Sequence, residues 1–200
     1  MIGEWEKETG KKATVALSAT KDVQDAILND TQRAKLVDII DIRYWHYKVD
    51  GLYAPEGGKN LAPRQHARKM KVGKVTFDEA YRAVSEYRKK FPEKAVTYYA
   101  QNYPDMAWAV FMASGSCPVV PVADESFLTD AAAMDMEDTG TNKYQKLVKS
   151  GIGSIIYSHS ATDIPVHLSP GKYILKSVDP KTGAITVIAK IGRASCRERV

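Results

Sequence analysis

The chain has 200 residues, 44% hydrophobic and 26% charged with a formal charge of +5, a mixture that builds a core rather than remaining disordered. Its lysines and arginines are interspersed with Asp and Glu and form no basic stripe, which argues against nucleic acid as a partner, and no apolar run approaches the roughly 20 residues of a membrane span. Cys117 and Cys196 are the only cysteines, so a disulfide framework and a cysteine-based metal site are excluded.

In chain order, Trp5 to Thr9 reads as the charged end of a helix, closed by Gly10 in the left-handed C-terminal position. Ala13-Thr14-Val15-Ala16-Leu17 is an apolar run too short for a helix and reads as a buried strand. Thr20 or Asp22 caps the next helix, with Val23, Ala26 and Ile27 on one face. A second buried strand, Val37 to Ile42, runs into the string Arg43-Tyr44-Trp45-His46-Tyr47 and then a long Gly- and Pro-rich loop, Lys48 to about Val75. Thr76 with Glu79 spells a capping box, followed by helical spacing of Phe77, Ala80, Tyr81, Val84 and Tyr87 or Arg88. A third strand, Ala95 to Ala100, leads through Gln101-Asn102-Tyr103-Pro104 into a helix whose Trp108 and methionines read as core.

Three strand–helix units in succession imply a parallel sheet with helical crossovers. The expected fold class is α/β. In it, residues 1–128 form the C-terminal part, about three β/α units, of a (β/α)8 TIM barrel. The rival doubly wound sheet lacks its glycine fingerprint after any strand. Beyond about Asp124 the pattern changes to short strand candidates, Ser154–Ser158, Ile164–Leu168, Tyr173–Val178 and Ile185–Ala189, with Pro170-Gly171 and Asp179-Pro180-Lys181-Thr182-Gly183 as turns. Residues 129–190 are therefore expected to be the start of an antiparallel β-sandwich, with the acidic stretch Asp130 to Asn142 as its junction.

The last ten residues, Ile191 to Val200 (IGRASCRERV), match one reading frame of a common short-read sequencing adapter, whose next codon is a stop. The natural protein is therefore expected to continue beyond about Lys190, with Met1 an internal methionine, and the tail is excluded from fold reasoning. It should pack against nothing. It holds three arginines and one glutamate, so the formal charge of +5 becomes +3 without it. Cys117 then stands alone and reads as a small buried residue.

In parallel α/β folds, ligand groups gather at the carboxyl ends of strands and in the loops that follow. Three places qualify: Ser18 to Asp22, Arg43 to Tyr47 with its loop, and Gln101-Asn102-Tyr103. The second sets the planar rings of Tyr44, Trp45, His46, Tyr47 and Tyr53 beside hydrogen-bonding groups. Sugars need both, because their apolar faces stack on rings while their hydroxyls need donors and acceptors. The loop adds Arg64, Gln65, His66 and Arg68. Trp45 and Tyr47 can equally pack on neighbouring helices. His46 and His66 have no third ligand at recognisable spacing, so no metal is expected, and no cofactor fingerprint occurs. His159 and His167 read as ordinary strand residues, and no G-x-S-x-G stands at Ser116. Carboxylates remain: glycoside hydrolysis uses two, and Asp22, after the first strand, and Asp41, late in the second, are the catalytic candidates, with Glu56 in the loop. Asp41 can instead be a buried partner for Arg43.

At Ala19 to Ile27, Asp41 to Tyr47 and Tyr53 to Arg68, the chain resembles a group of Bacteroidetes-type glycoside-hydrolase-like proteins, many classed only as a domain of unknown function. More distantly it is similar to apiosidase-like barrels that carry a C-terminal β domain of the collagen-binding type, whose pattern the Asp179-to-Gly183 turn matches. The resemblance spans Gly3 to Lys190. It implies the last three units of a (β/α)8 barrel, a carbohydrate partner, and a periplasmic or extracellular parent protein. The strand-end reading makes Lys21, Arg43, Tyr44, Trp45, His46, Tyr47, Arg64, Gln65 and His66 the candidate sugar-binding residues. Related barrels carry their acid/base after the fourth strand, outside this stretch, and often a glutamate at the end of the seventh. Here that strand ends Asp41-Ile42-Arg43. The stretch by itself is expected to be inactive; the alternative for the parent is a non-catalytic glycan-binding protein on a degenerate barrel.

Overall fold

The computed structural model describes residues 2–48, 51–53, 75–99, 104–158, 160, 163–166, 168–192 and 198–199. The chain divides into two compact units, Met1–Pro118 and Val119–Val200.

The first unit is α/β. In order it holds α1 (Ile2–Thr9), β1 (Ala16–Leu17), α2 (Lys21–Asn29), α3 (Thr31–Ala34), β2 (Ile39–Ile42), β3 (His46–Lys48), β4 (Gly51–Tyr53), α4 (Phe77–Lys90), β5 (Ala95–Tyr98) and α5 (Pro104–Met112). Strands β1, β2 and β5 form a parallel sheet in chain order, with Ala16 opposite Ile39 and Asp41 opposite Thr97. Among the described residues this sheet stays open. Ile40, Ile42 and Val96 are fully buried, as are Ala80, Val84 and Tyr87 of α4 and Val110 and Met112 of α5. Each such aliphatic side chain contributes about 1.5–3 kcal/mol on burial. Strand alternation puts Asp41 on the face opposite Ile40 and Ile42.

The first strand is shorter than its apolar run. Val15 lies outside the ladder proper, yet its carbonyl accepts from the amides of Asp38 and Ile39, and its own N–H donates to the Asp38 carboxylate at 2.9 Å. Helix α2 departs from its expected face. Lys21, Gln24 and Leu28 are the buried residues and Ala26 is exposed. The buried stripe keeps helical spacing but is mostly polar, so an apolar pattern search passes over it. The capping box of α4 is present, with the Thr76 amide donating to Glu79 Oε2 at 2.8 Å and the Glu79 amide donating to Thr76 Oγ1 at 3.4 Å.

Helix α5 carries the expected core, Trp108 and Met112 among it. It closes in a Schellman motif: Ser114 N–H donates to Phe111 C=O at 3.0 Å and Gly115 N–H to Val110 C=O at 2.8 Å. Ser114, not the glycine, takes the left-handed conformation at φ 53. Gly115 is required for another reason, since a Cβ there would lie 2.5 Å from Val110 Cγ1 and 2.9 Å from Val110 O. The next residue closes the outer edge of β5. Ser116 N–H donates to Val96 C=O at 2.7 Å, and Val96 N–H donates to Ser116 Oγ at 3.1 Å. Cys117 corrects its expected burial: it is exposed, at φ 55, because the Schellman turn throws it onto the surface.

The second unit is antiparallel wherever its described strands pair. It holds α6 (Glu125–Ala132), β6 (Asp135–Glu137), β7 (Tyr144–Lys149), β8 (Gly153–Ser158), β9 (Pro165–Val166), β10 (Tyr173–Val178), β11 (Ile185–Ile191) and β12 (Glu198–Arg199). Strands β6, β7 and β8 form one sheet, and β10 with β11 and β9 with β12 form two-stranded pairs. The expected Asp179–Gly183 turn is present: Asp179 Oδ1 accepts from the amides of Lys181 and Thr182, and Gly183 adopts φ 73. Helix α6 and strands β6 and β7 were not expected. In β7 the inward positions are Gln145 and Leu147, so a polar residue on the buried face hides the alternation. The tail needs a correction at three residues. Ile191 pairs with Tyr173, and Glu198 and Arg199 pair with Val166 and Pro165, because an unpaired strand edge accepts any extended segment.

Candidate functional site

The carboxyl ends of β1 and β2 bring two groups of side chains into view, and they differ in kind. The first is a buried clasp between α2, the segment after β2, and α4. Lys21 Nζ donates to Asp25 at 3.0 Å and to Glu86 at 2.8 Å, and lies over the rings of Trp45 and Tyr87 at 5.0 and 4.8 Å. The Tyr47 hydroxyl donates to Glu86, the Tyr87 hydroxyl to Asp25 at 2.8 Å, and Arg82 stacks over the Tyr47 ring at 4.0 Å. Trp45 has no exposure and packs edge-on against Tyr47 and Tyr87. Its indole N–H donates to Gln24 Oε1 at 2.6 Å, while Gln24 Nε2 donates to the carbonyls of Leu17 and Asp41, each at 2.9 Å.

Every polar atom of Gln24 is thus satisfied, which makes so buried an amide affordable. Burial first, then the hydrogen bond to Glu86, pushes the Tyr47 hydroxyl far above the ordinary phenol range; Tyr87 is raised likewise by burial and by Asp25. Both phenols are held neutral as donors. Lys21, Trp45 and Tyr47, expected as sugar-binding groups, are brought together here by packing. This agrees with the helix-packing alternative for the two aromatics.

The second group lies at the end of β2 on the other face of the sheet. Asp41 is 12% exposed in its side chain and accepts from Arg43 Nε at 2.8 Å and from Thr97 Oγ1 at 3.0 Å. Both carboxylate oxygens therefore have donors, one from the next turn of chain and one from the neighbouring strand in register. The Arg43 side chain is 55% exposed. Asp22, the other catalytic candidate, is exposed in the first turn of α2, and Tyr44 is half-buried beside Arg43. His46 is buried on β3. Burial holds its imidazole below the ordinary histidine value, the Glu79 carboxylate opposes this, and Lys48 adds to it.

Arg64, Gln65 and His66, with Glu56, Arg68, Gln101, Asn102, Tyr103, His159 and His167, lie outside the described residues, as does the side chain of Tyr53. Among the described residues no group of His, Cys, Asp or Glu is arranged to hold a metal ion, and no helix is long and apolar enough to cross a membrane. Thr97, Gln24, Asp25, Arg82, Glu86 and Tyr87 were not anticipated. The signal for Thr97 is register, which a sequence read strand by strand does not contain.

A family model described as a domain of unknown function (DUF6298) matches residues 1–134. No curated protein and no solved structure matches the chain. The chain belongs to the DUF6298 family.

Proposed function

We propose that this DUF6298 member forms part of a carbohydrate-active (β/α)8 barrel that cleaves a glycosidic bond in a polysaccharide or oligosaccharide. One observation carries the reading: Asp41 lies next to the carboxyl end of the central strand of a parallel sheet, with both carboxylate oxygens held by Arg43 and Thr97. A fixed acceptor carboxylate at that end suits the base or nucleophile of a glycosidase, whose second carboxyl group acts as acid about 5–10 Å away. The likeness to Bacteroidetes-type glycoside hydrolases supports the same reading, together with a periplasmic or extracellular location for the intact protein. The test is release of reducing sugar from a broad polysaccharide panel by the intact protein. Asp41→Asn is expected to reduce turnover about a hundredfold or more; turnover that survives the substitution sinks Asp41 as a catalytic group.

A second reading, non-catalytic glycan binding on a degenerate barrel, is favoured by an aspartate, Asp41, standing where related barrels often place a glutamate. Binding to glycans without hydrolysis of any of them supports this reading, and hydrolysis abolished by Asp41→Asn excludes it.

A further inference from the structure

The Asp41–Arg43 pair is asymmetric in a way that bears on the ligand. Arg43 meets Asp41 through Nε. Among the described residues neither Nη nitrogen makes a hydrogen bond, and the side chain is more than half exposed. A guanidinium anchored by its Nε edge keeps its two-nitrogen fork free, and that fork matches the two oxygens of a carboxylate. Asp41 is itself fixed from the other side by Thr97, so Arg43 does not have to be ordered by the ligand; such pre-organisation lowers the cost of binding.

We propose that the ligand of this site is a uronate-bearing oligosaccharide whose carboxylate is received by the Nη fork of Arg43. This rests on the carbohydrate reading and narrows it from sugars in general to acidic ones.

The test compares binding of an oligogalacturonate with its fully methyl-esterified form, which keeps the sugar and removes the charge. Calorimetry on the intact protein is expected to show about tenfold tighter binding of the acid at low salt. Arg43→Gln should abolish that preference while the melting temperature stays within a few degrees, and Arg43→Lys should restore part of it. Equal binding of acid and ester overturns the inference, as does a preference that persists in Arg43→Gln. So does single-stranded DNA binding as tightly as the oligogalacturonate, which would mark a general polyanion surface. Binding of neutral glycans alone sinks the uronate assignment and leaves the carbohydrate reading standing. Binding of no glycan of either kind sinks both.

Discussion

Trp45 shows how a side chain can be legible for its chemistry while its surroundings are not. The aromatic string after β2 was legible as planar rings beside polar groups. Its burial was not, because Gln24, Asp25, Glu86 and Tyr87 come from two helices whose meeting is a tertiary event. The indole fills the clasp with no exposure, so Trp45→Ala is expected to destabilise the first unit by about 3–5 kcal/mol in urea melts. Trp45→Phe keeps most of the volume and leaves Gln24 Oε1 without its donor, which costs about 1–3 kcal/mol. A Trp45→Phe protein as stable as the parent would refute the hydrogen-bond account.

The titrating groups of the chain set a pH window with a definite sign. Tyr47 and Tyr87 have folded-state values raised above 10.0. Their contribution is whole below that pH and is lost as pH rises past it. His46 is lowered from 6.5, so its neutral burial is favourable above that pH and loses stability as pH falls below it. Asp30, Asp124 and Asp179 are lowered from 3.8, each chiefly by a hydrogen bond to its charged oxygen, and they add to the loss at more acid pH. Stability measured by chemical denaturation should therefore form a plateau between about pH 7 and 9 and decline on both sides. Rising stability below pH 6 would contradict the His46 assignment.

At the scale of elements, local rules were legible wherever backbone chemistry alone decides. The α4 capping box follows from two residue types three apart, and Thr76→Ala should cost about 1 kcal/mol. The end of α5 shows the limit of such rules. Glycine usually takes the left-handed position at a helix end, yet here Ser114 occupies it and Gly115 is reserved for close approach to Val110 and Val84. Ser114 also buries a hydroxyl that has no hydrogen-bond partner among the described residues. Ser114→Gly should thus raise stability by about 1 kcal/mol, whereas Gly115→Ala should lower it by about 1–3 kcal/mol. Thermal melts of the two neighbours moving in opposite directions would check both claims at once. Helix α2 was misread for a different reason: its buried stripe is Lys21, Gln24 and Leu28, and polar burial depends on partners supplied from elsewhere in the chain.

For the whole molecule, alternation of strands and helices was enough to give an α/β first unit and antiparallel strands after it. Pairing partners were not legible, because register such as Asp41 beside Thr97 is decided between segments far apart in sequence. In the second unit Ile174, Val187 and Ile188 are more than half exposed on the β10–β11 hairpin. Exposed apolar strand surface promotes self-association. Light scattering should show concentration-dependent association at neutral pH that Ile174→Lys with Val187→Thr reduces, without a fall in melting temperature. Among the described residues, removing 192–200 forfeits the two-residue pairing with β9, and the truncation should change stability by less than about 0.5 kcal/mol.

The Gln24 amide has one more consequence, and it is optical. It joins the Trp45 indole to the backbone carbonyl of Asp41 through a single side chain. Indole emission depends on the hydrogen bond at its nitrogen. Trp5, by contrast, is solvent-facing, and an aqueous quencher such as iodide can silence it. Trp108 is buried too, so in a Trp108→Phe protein under that quencher light from Trp45 becomes a gauge of the carboxyl end of β2, and a molecule settling on Asp41 can announce itself as a change of colour before any product has been looked for.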